Sequence, residues 1–309
     1  MPDCCQPIAE GAVDQSADAE AHAMATLLEG LGLTSLVDVH THFMPKRVMD
    51  KVWAYFDAAG PLTNRTWPIR YRLDEQARVQ TLRRLGAKTF TSLVYPHKPQ
   101  MADWLNGWAA KFARDTPQVL QTATFYPEPG AEAYVRRAID DGARVFKAHV
   151  QVGGYTPTDP LLEPVWEVLE HSRIPTVIHA GSGPAPGRFT GPGPVAEVLR
   201  RHPGLILIVA HMGLPEYREF LDLAHQHDGV HLDTTMVFTD FTEQVDPFPP
   251  SARADLVALA DKIMFGSDYP NIPYPYHHAV ESVVNLGLGS QWCRKVLHDN
   301  ASRLFGLAS

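Results

Sequence analysis

The segment Val37-Asp38-Val39-His40-Thr41-His42 sets two imidazoles two residues apart. Apolar Val37 and Val39 alternate with Asp38, His40 and His42, which is the period of a β-strand. Successive strand residues point to opposite faces, so His40 and His42 leave on the same side. Imidazoles so placed can approach one metal ion from one edge, at Zn–N distances of roughly 2.0–2.1 Å. A strand with two exposed histidines would read the same way, and the rest of the chain separates the two cases.

Further ionisable residues recur at one kind of position. His179 ends Thr176-Val177-Ile178-His179, and His211 ends Ile208-Val209-Ala210-His211. Asp268 closes Met264-Phe265-Gly266-Ser267-Asp268, and Lys147 and His149 stand near the end of Val145-Phe146-Lys147-Ala148-His149. Alone, a histidine ending an apolar strand is ordinarily a hydrogen-bonded core residue, and an Asp shortly before a proline is ordinarily a turn residue. Chance would scatter such groups to both ends of the strands, so their agreement on one end points to chemistry. Three neutral imidazoles and a carboxylate suit a borderline divalent ion such as zinc. His40, His42 and His179 fit as ligands. Asp268 fits either as a ligand or as the base that takes a proton from water. His211 is then a free imidazole beside the ion, suited to proton transfer near neutral pH.

The elements that must carry these groups follow from the apolar runs. Ser35–His42, Lys88–Tyr95, Val119–Tyr126, Ala143–Val150, Ile174–His179, Leu205–His211, Val230–Thr235 and Lys262–Asp268 are short and mostly rich in Val, Ile, Leu or Phe. Strands buried on both faces have that composition. Helical patterns lie between them. Leu73–Leu85 runs into Gly86 and Ala131–Ile139 into Gly142, each closed by a C-terminal glycine. Leu161–His171, Val195–His202, Tyr217–His227 and Ala252–Ala260 fill later gaps. Eight strands alternating with helices predict an α/β fold, a (β/α)8 TIM barrel with the metal site at the C-terminal strand ends. A doubly wound sheet would want a glycine-rich turn after the first strand, where His-Thr-His stands instead.

The connection Met44–Ile69, with Trp53, Tyr55, Phe56 and Trp67, predicts an excursion over the barrel mouth. Ala19–Leu33 carries Met24, Leu27, Leu28 and Leu31 at helical spacing before its end at Gly32, which predicts a leading helix. Residues 1 to about 17 are small and polar and predict disorder. The expected organisation is residues 1–34 as tail and leading helix, and 35–309 as the barrel domain.

The chain has 309 residues, 45% hydrophobic and 20% charged, with a formal net charge of −8 and no basic run. That balance speaks against nucleic acid as a partner. No apolar run approaches the roughly 18 residues of a membrane span. Cys4, Cys5 and Cys293 offer neither a zinc-ribbon spacing nor a disulfide framework. The first residues lack the cationic start and apolar core of a secretory signal, so a cytoplasmic protein is expected. The expected partner is a small molecule, and a homo-oligomer stays open.

The motifs together resemble the amidohydrolase superfamily. They are Asp38-Val-His40-Thr-His42, His179 in His-Ala-Gly, His211 in Ala-His-Met-Gly, and Gly266-Ser-Asp268-Tyr-Pro270, with Val296–Leu307 similar to the family's closing helix. The likeness spans about Leu36 to Leu307 and is nearest the branch containing aminocarboxymuconate-semialdehyde decarboxylase and related metal-dependent hydrolases. It implies one zinc ion on His40, His42, His179 and Asp268, with His211 as catalytic acid or base. Lys147 departs from that branch's pattern. In dihydroorotase-like members a lysine there is carboxylated and bridges two metals, so a second ion is the alternative to a Lys147 that only hydrogen-bonds.

Substrate contacts are read from loops that leave the same strand ends. Arg188 is the single charge of the loop Gly181–Pro194 and fits either a bidentate clamp on a substrate carboxylate or a solvated position. His149, Tyr155, Tyr269 and Asn271 also follow barrel strands, whereas Trp104 and Trp108 fit a core or an interface. The reading is a zinc-dependent hydrolase in which activated water attacks an amide, ester or lactone carbonyl of a small, carboxylate-bearing substrate. The alternative is non-oxidative decarboxylation of an aromatic or enol acid by the same residues.

Overall fold

A computed structural model describes residues 10–60 and 65–307. Strands β1 (Leu36–Asp38), β2 (Ala87–Thr91) and β3 (Val119–Leu120) pair in parallel. So do β4 (Thr122–Thr124), β5 (Val145–His149), β6 (Thr176–His179), β7 (Leu207–Val209), β8 (Val230–Asp233) and β9 (Ile263–Met264), in that order. β3 and β4 are one barrel strand broken at Gln121, which leaves the eight positions expected. First and last strands meet just past their ends. Val39 N donates to Phe265 O at 3.0 Å, Asp268 N donates to His40 O at 2.9 Å, and Thr41 bridges Tyr269 in parallel. The chain folds as an α/β TIM barrel.

Most strands are shorter than their apolar runs predict, and the loss falls mainly at the C-terminal ends. There the backbone turns sharply, with positive φ at His211 (55°), Met212 (51°), Met236 (60°) and Asp268 (70°). Side chains with a Cβ resist this region at a cost of roughly 1–2 kcal/mol each, so the surroundings must hold them there. Gly266 is needed for a different reason. A Cβ there would lie 2.2 Å from Thr235 Oγ1 and 2.7 Å from His40 Cβ.

Inside the barrel, Val37, Val145, Val177, Ile208 and Met264 pack against Ala301 and Phe305, so the final helix (Asn300–Phe305) plugs the base. Outside, the helices lay apolar stripes on the strands. Glu163–Ser172 buries Val165, Trp166, Val168 and Leu169, and Tyr217–Gln226 buries Tyr217, Phe220, Leu221, Leu223 and Ala224. Lys46–Ala58 packs Val48, Met49 and Val52 against Val94, Tyr95 and Leu105. It forms part of the excursion over the mouth.

The leading helix runs Glu10–Gly30, so the disorder expected up to residue 17 is corrected from Glu10 onward. Residues 1–9 lie outside the described residues. The reason is composition, since Ala12, Ala17, Ala19, Ala21, Ala23 and Ala25 favour helix more than their small size suggests. Met24 and Leu28 are buried. Glu20 accepts hydrogen bonds from Tyr71 Oη at 2.6 Å and from His277 N at 3.3 Å, which ties this helix to the barrel wall. No helix of the described residues is long and apolar enough to cross a membrane.

Candidate metal centre and active site

His40 lies two residues beyond β1 and is gripped at both ring nitrogens. Its Nδ1 is 2.8 Å from Asp233 Oδ2, and its Nε2 is 3.3 Å from Lys147 Nζ. Asp233, at the end of β8, is fully buried. Its other oxygen, Oδ1, accepts from His211 N at 2.8 Å and Thr235 N at 3.1 Å. His42 has Nδ1 3.0 Å from Leu93 O and Nε2 3.0 Å from Asp268 Oδ1. Asp268 Oδ1 is also 3.7 Å from His40 Nε2. Among the described residues, His40, His42 and Asp268 form the group whose ligand atoms all lie within 4.8 Å of one another.

This donor set fits a divalent ion. A backbone carbonyl only accepts, so His42 Nδ1 must donate to Leu93 O. A neutral ring then has a bare Nε2, facing a carboxylate oxygen at 3.0 Å. Two acceptors at that distance need a proton or a cation between them. His40 is set the same way, with Nδ1–H directed at a carboxylate, as metal-ligating histidines commonly are.

The other predicted residues divide. His179 lines the same cavity, but its Nε2 lies 3.0 Å from Gly183 O and its ring stacks on His149 at 4.1 Å between centroids. It stands outside the group whose ligand atoms lie within 4.8 Å of one another. His211 lines the cavity with Nδ1 3.0 Å from Thr235 O, which leaves Nε2 as its uncommitted nitrogen. Burial is the main cause that holds His40, His149 and His211 well below the usual histidine range, and it pushes His179 down to about 4. These rings are neutral at pH 7, as ligands and bases must be. Burial also pulls the Lys147 ammonium down to about 8, against the opposite pull of Asp233 and Asp268.

The cavity above these groups measures about 380 Å³. Its upper wall is largely apolar, with Val52, Phe56, Trp67, Leu214 and Met236. Asn271 lines it and is pinned by two indoles, Trp53 Nε1 donating to its Oδ1 at 3.1 Å and Trp67 Nε1 to its O at 2.7 Å. Tyr269 does not face the cavity. It is fully buried behind the site, with its Oη donating to Arg78 O at 3.2 Å. Tyr155 is buried against Tyr126, at 5.4 Å between centroids. Arg188 is exposed, with its guanidinium 5.1 Å over its neighbour Phe189, and is not on the cavity wall. The arginine and surface lysine that do line the cavity are Arg65 and Lys51, from the excursion over the mouth.

Reasoning from the sequence missed three of these features. Asp233 ends an apolar run on the same rim as the histidines, which is a signal that could have found it. Tyr95, which packs edge-on to His42 at 5.5 Å, could have been found by the same rule. Arg65 carries no such mark, because it lies in a long connection whose path the sequence does not reveal.

Comparison with solved structures returns the same fold at low identity. An uncharacterised TIM-barrel protein of Bordetella bronchiseptica superposes with a TM-score of 0.68 at 19% identity, over 88% of this chain and 99% of that one. A 5-carboxyvanillate decarboxylase of Novosphingobium aromaticivorans, in complex with manganese and 4-hydroxy-3-methoxy-5-nitrobenzoic acid, gives 0.61 at 15%, over 89% and 97%. A candidate 2-pyrone-4,6-dicarboxylic acid hydrolase of Pseudomonas putida gives 0.59 at 18%, over 89% and 99%. No curated protein sequence matches the chain. The family model described as Amidohydrolase matches residues 37–307, a span that holds every residue of the cluster, and the chain therefore belongs to the amidohydrolase family.

Proposed function

We propose that this enzyme is a hydrolase of small, carboxylate-bearing substrates that works with one divalent ion, zinc by the character of its donors, held by His40, His42, His179 and Asp268. The observation that carries the reading is the pair of facing acceptors, His42 Nε2 and Asp268 Oδ1, 3.0 Å apart on the floor of the cavity. A divalent ion held there would supply Lewis acidity and would lower the pKa of a bound water toward neutrality.

The chain's own groups account for the rest. Asp268, whose Oδ1 faces the two histidines, keeps its other oxygen to accept the proton that water gives up. His211, neutral and with Nδ1 committed to Thr235 O, presents Nε2 as the second acceptor or, once protonated, as the donor to a leaving group. Lys147 Nζ supplies positive charge at the floor, where a substrate carboxylate can offset the cost of its burial. The apolar upper wall keeps bulk water away. Lys147 acts as an amine and not as a bridging carbamate in this reading.

A carboxy-lyase is the second reading, and that upper wall favours it. A carboxylate held against Val52, Phe56 and Trp67 loses hydration, and losing carbon dioxide relieves that cost. One experiment divides the cases. Metal analysis of the purified protein is expected to give about one equivalent of zinc or a similar ion, lost in His42→Ala. 5-Carboxyvanillate and 2-pyrone-4,6-dicarboxylate then serve as probes, in ¹⁸O-labelled water and with carbon dioxide trapping. Label in the organic product supports hydrolysis, and trapped carbon dioxide with no label in the organic product supports the lyase. A wild type that holds no ion and gains no activity on adding zinc sinks both.

A further inference from the structure

Asp233 has no role in the reading above, and its position is unusual. It is fully buried at the end of β8 and accepts three hydrogen bonds from groups on different strand ends. Oδ2 takes His40 Nδ1 from beyond β1. Oδ1 takes the backbone N–H of His211 from beyond β7, together with that of Thr235 two residues on. The Thr235 carbonyl then receives His211 Nδ1 at 3.0 Å. So the end of β8 fixes the ring of His40 through a side chain, and both the backbone and the ring of His211.

We infer that Asp233 is a positioning residue that sets the tautomer of His40 and, through the same carboxylate, holds His211 in its left-handed conformation. The inference rests on the proposed metal site. An ionised carboxylate only accepts, so the proton on His40 must sit on Nδ1 and the lone pair on Nε2. An independent contact agrees. Lys147 Nζ lies 3.3 Å from Nε2, and an ammonium has only donors to offer. Both neighbours of the ring therefore demand the tautomer that a metal needs.

His211 sits at φ 55° and ψ 28°, a conformation that costs a non-glycine residue free energy. A charge-assisted bond from its N–H to Asp233 Oδ1, at 2.8 Å in a buried setting, offsets that cost. One carboxylate thus couples the metal-binding histidine to the acid–base histidine. Neither can shift without straining the other's bond.

Asp233→Asn is the informative change, because it keeps the shape and removes one acceptor. An amide has one oxygen and one NH₂. If the oxygen serves the two backbone N–H groups, the NH₂ faces His40 Nδ1. That nitrogen must then accept, and the proton moves to Nε2. The opposite orientation leaves two buried N–H groups facing a donor, which costs more.

The test reads the tautomer without any metal. ¹⁵N-histidine NMR of the metal-free protein, with His40 assigned by its loss in His40→Gln, is expected to show protonated Nδ1 and bare Nε2 in the wild type and in Lys147→Met, and the reverse in Asp233→Asn built on Lys147→Met, where no ammonium holds Nε2 as an acceptor. Titration with cobalt(II) alone, followed by its visible bands, is expected to show a 10–100-fold weaker dissociation constant in the variant. A wild-type His40 protonated on Nε2 overturns the inference. So does a variant that keeps the wild-type tautomer, whether or not its cobalt affinity falls, since a fall without inversion is general distortion. Should Asp233→Asn not fold, Asp233→Ser replaces it, and loss of the single Nδ1–H form is the expected result. A wild type that shows the expected tautomer and binds no cobalt refutes the metal reading and leaves the tautomer assignment standing.

Discussion

The two ends of the barrel interior differ more than any other two regions of this molecule, and they are built from the same strands. On β5, Val145 belongs to the apolar base, and Lys147, the next residue on that face, has its amine 3.3 Å from His40 Nε2. On β6, Val177 packs in the base, and His179 ends the strand in the cavity. A step of two residues separates a core resembling an organic solid from a cluster of titratable groups. Packing at the base can be dense and permanent because nothing enters there. At the mouth the strands stop early, the backbone turns left-handed at His211 and Asp268, and buried polar groups hold one another. Stability and chemistry are thereby assigned to opposite ends, as is general for this fold.

The largest expected effect sits at the mouth. His211→Asn should bind metal like the wild type and lose turnover by roughly 10²–10⁴-fold, the usual contribution of a positioned acid or base. The measurement is metal content together with steady-state rates on whichever probe acid or lactone the wild type converts. If the variant is purified without metal, His211 is a ligand, and the division of roles within the mouth must be redrawn.

At the base the prediction reverses. Phe305 is almost fully buried against Val145, Val177 and Ile208. Phe305→Ala should cost about 3 kcal/mol or more of stability, from lost burial and the cavity left behind. It should leave the metal stoichiometry unchanged. Urea unfolding of the variant and the wild type, both metal-loaded, reads the first quantity, and metal analysis reads the second. Loss of metal at full stability would mean that the base supports the site directly, and the contrast between the ends would fail.

The base and the strands were legible in the sequence because burial on both faces leaves continuous runs of Val, Ile, Leu and Phe, as in Leu205–His211 and Ile174–His179. The rim was legible for a related reason, since an ionisable residue ending such a run stands out. What failed to show has physical causes. The run of β7 extends past Val209 in sequence, but His211 and Met212 adopt positive φ, which no residue pattern announces in side chains other than glycine. Arg188, the single charge of its loop, fitted either a carboxylate clamp or a solvated position. Where a guanidinium lies depends on the loop's path, and this one stacks on Phe189 outside the cavity. Asp233 carried the same mark at the end of β8, but its role did not show, because two of its three donors, His40 and His211, come from other strand ends.

Lys147 sharpens the comparison with a smaller effect of opposite sign. It is fully buried in the polar half, and burial lowers its pKa from 10.5 to about 8. The folded protein therefore holds this proton less tightly than the unfolded chain does. At pH 7 both states carry it, and the whole penalty is present. As pH rises from about 8 to 10.5, the folded state releases the proton first, so the unfolded chain binds more protons and stability rises with pH. Lys147→Met fills similar space without the charge. The metal-free variant should be more stable than the metal-free wild type at pH 7, by on the order of 2 kcal/mol. The full shift suggests somewhat more, but Asp233 and Asp268 lose a favourable neighbour. The gap should close as pH approaches 10.5. Urea midpoints of both proteins after chelation, at pH 7 and across that alkaline window, measure it. A variant less stable than the wild type at pH 7, or a gap indifferent to pH, would show that Lys147 is a packing residue like those two positions below it. The polar end would then not be maintained at the expense of stability.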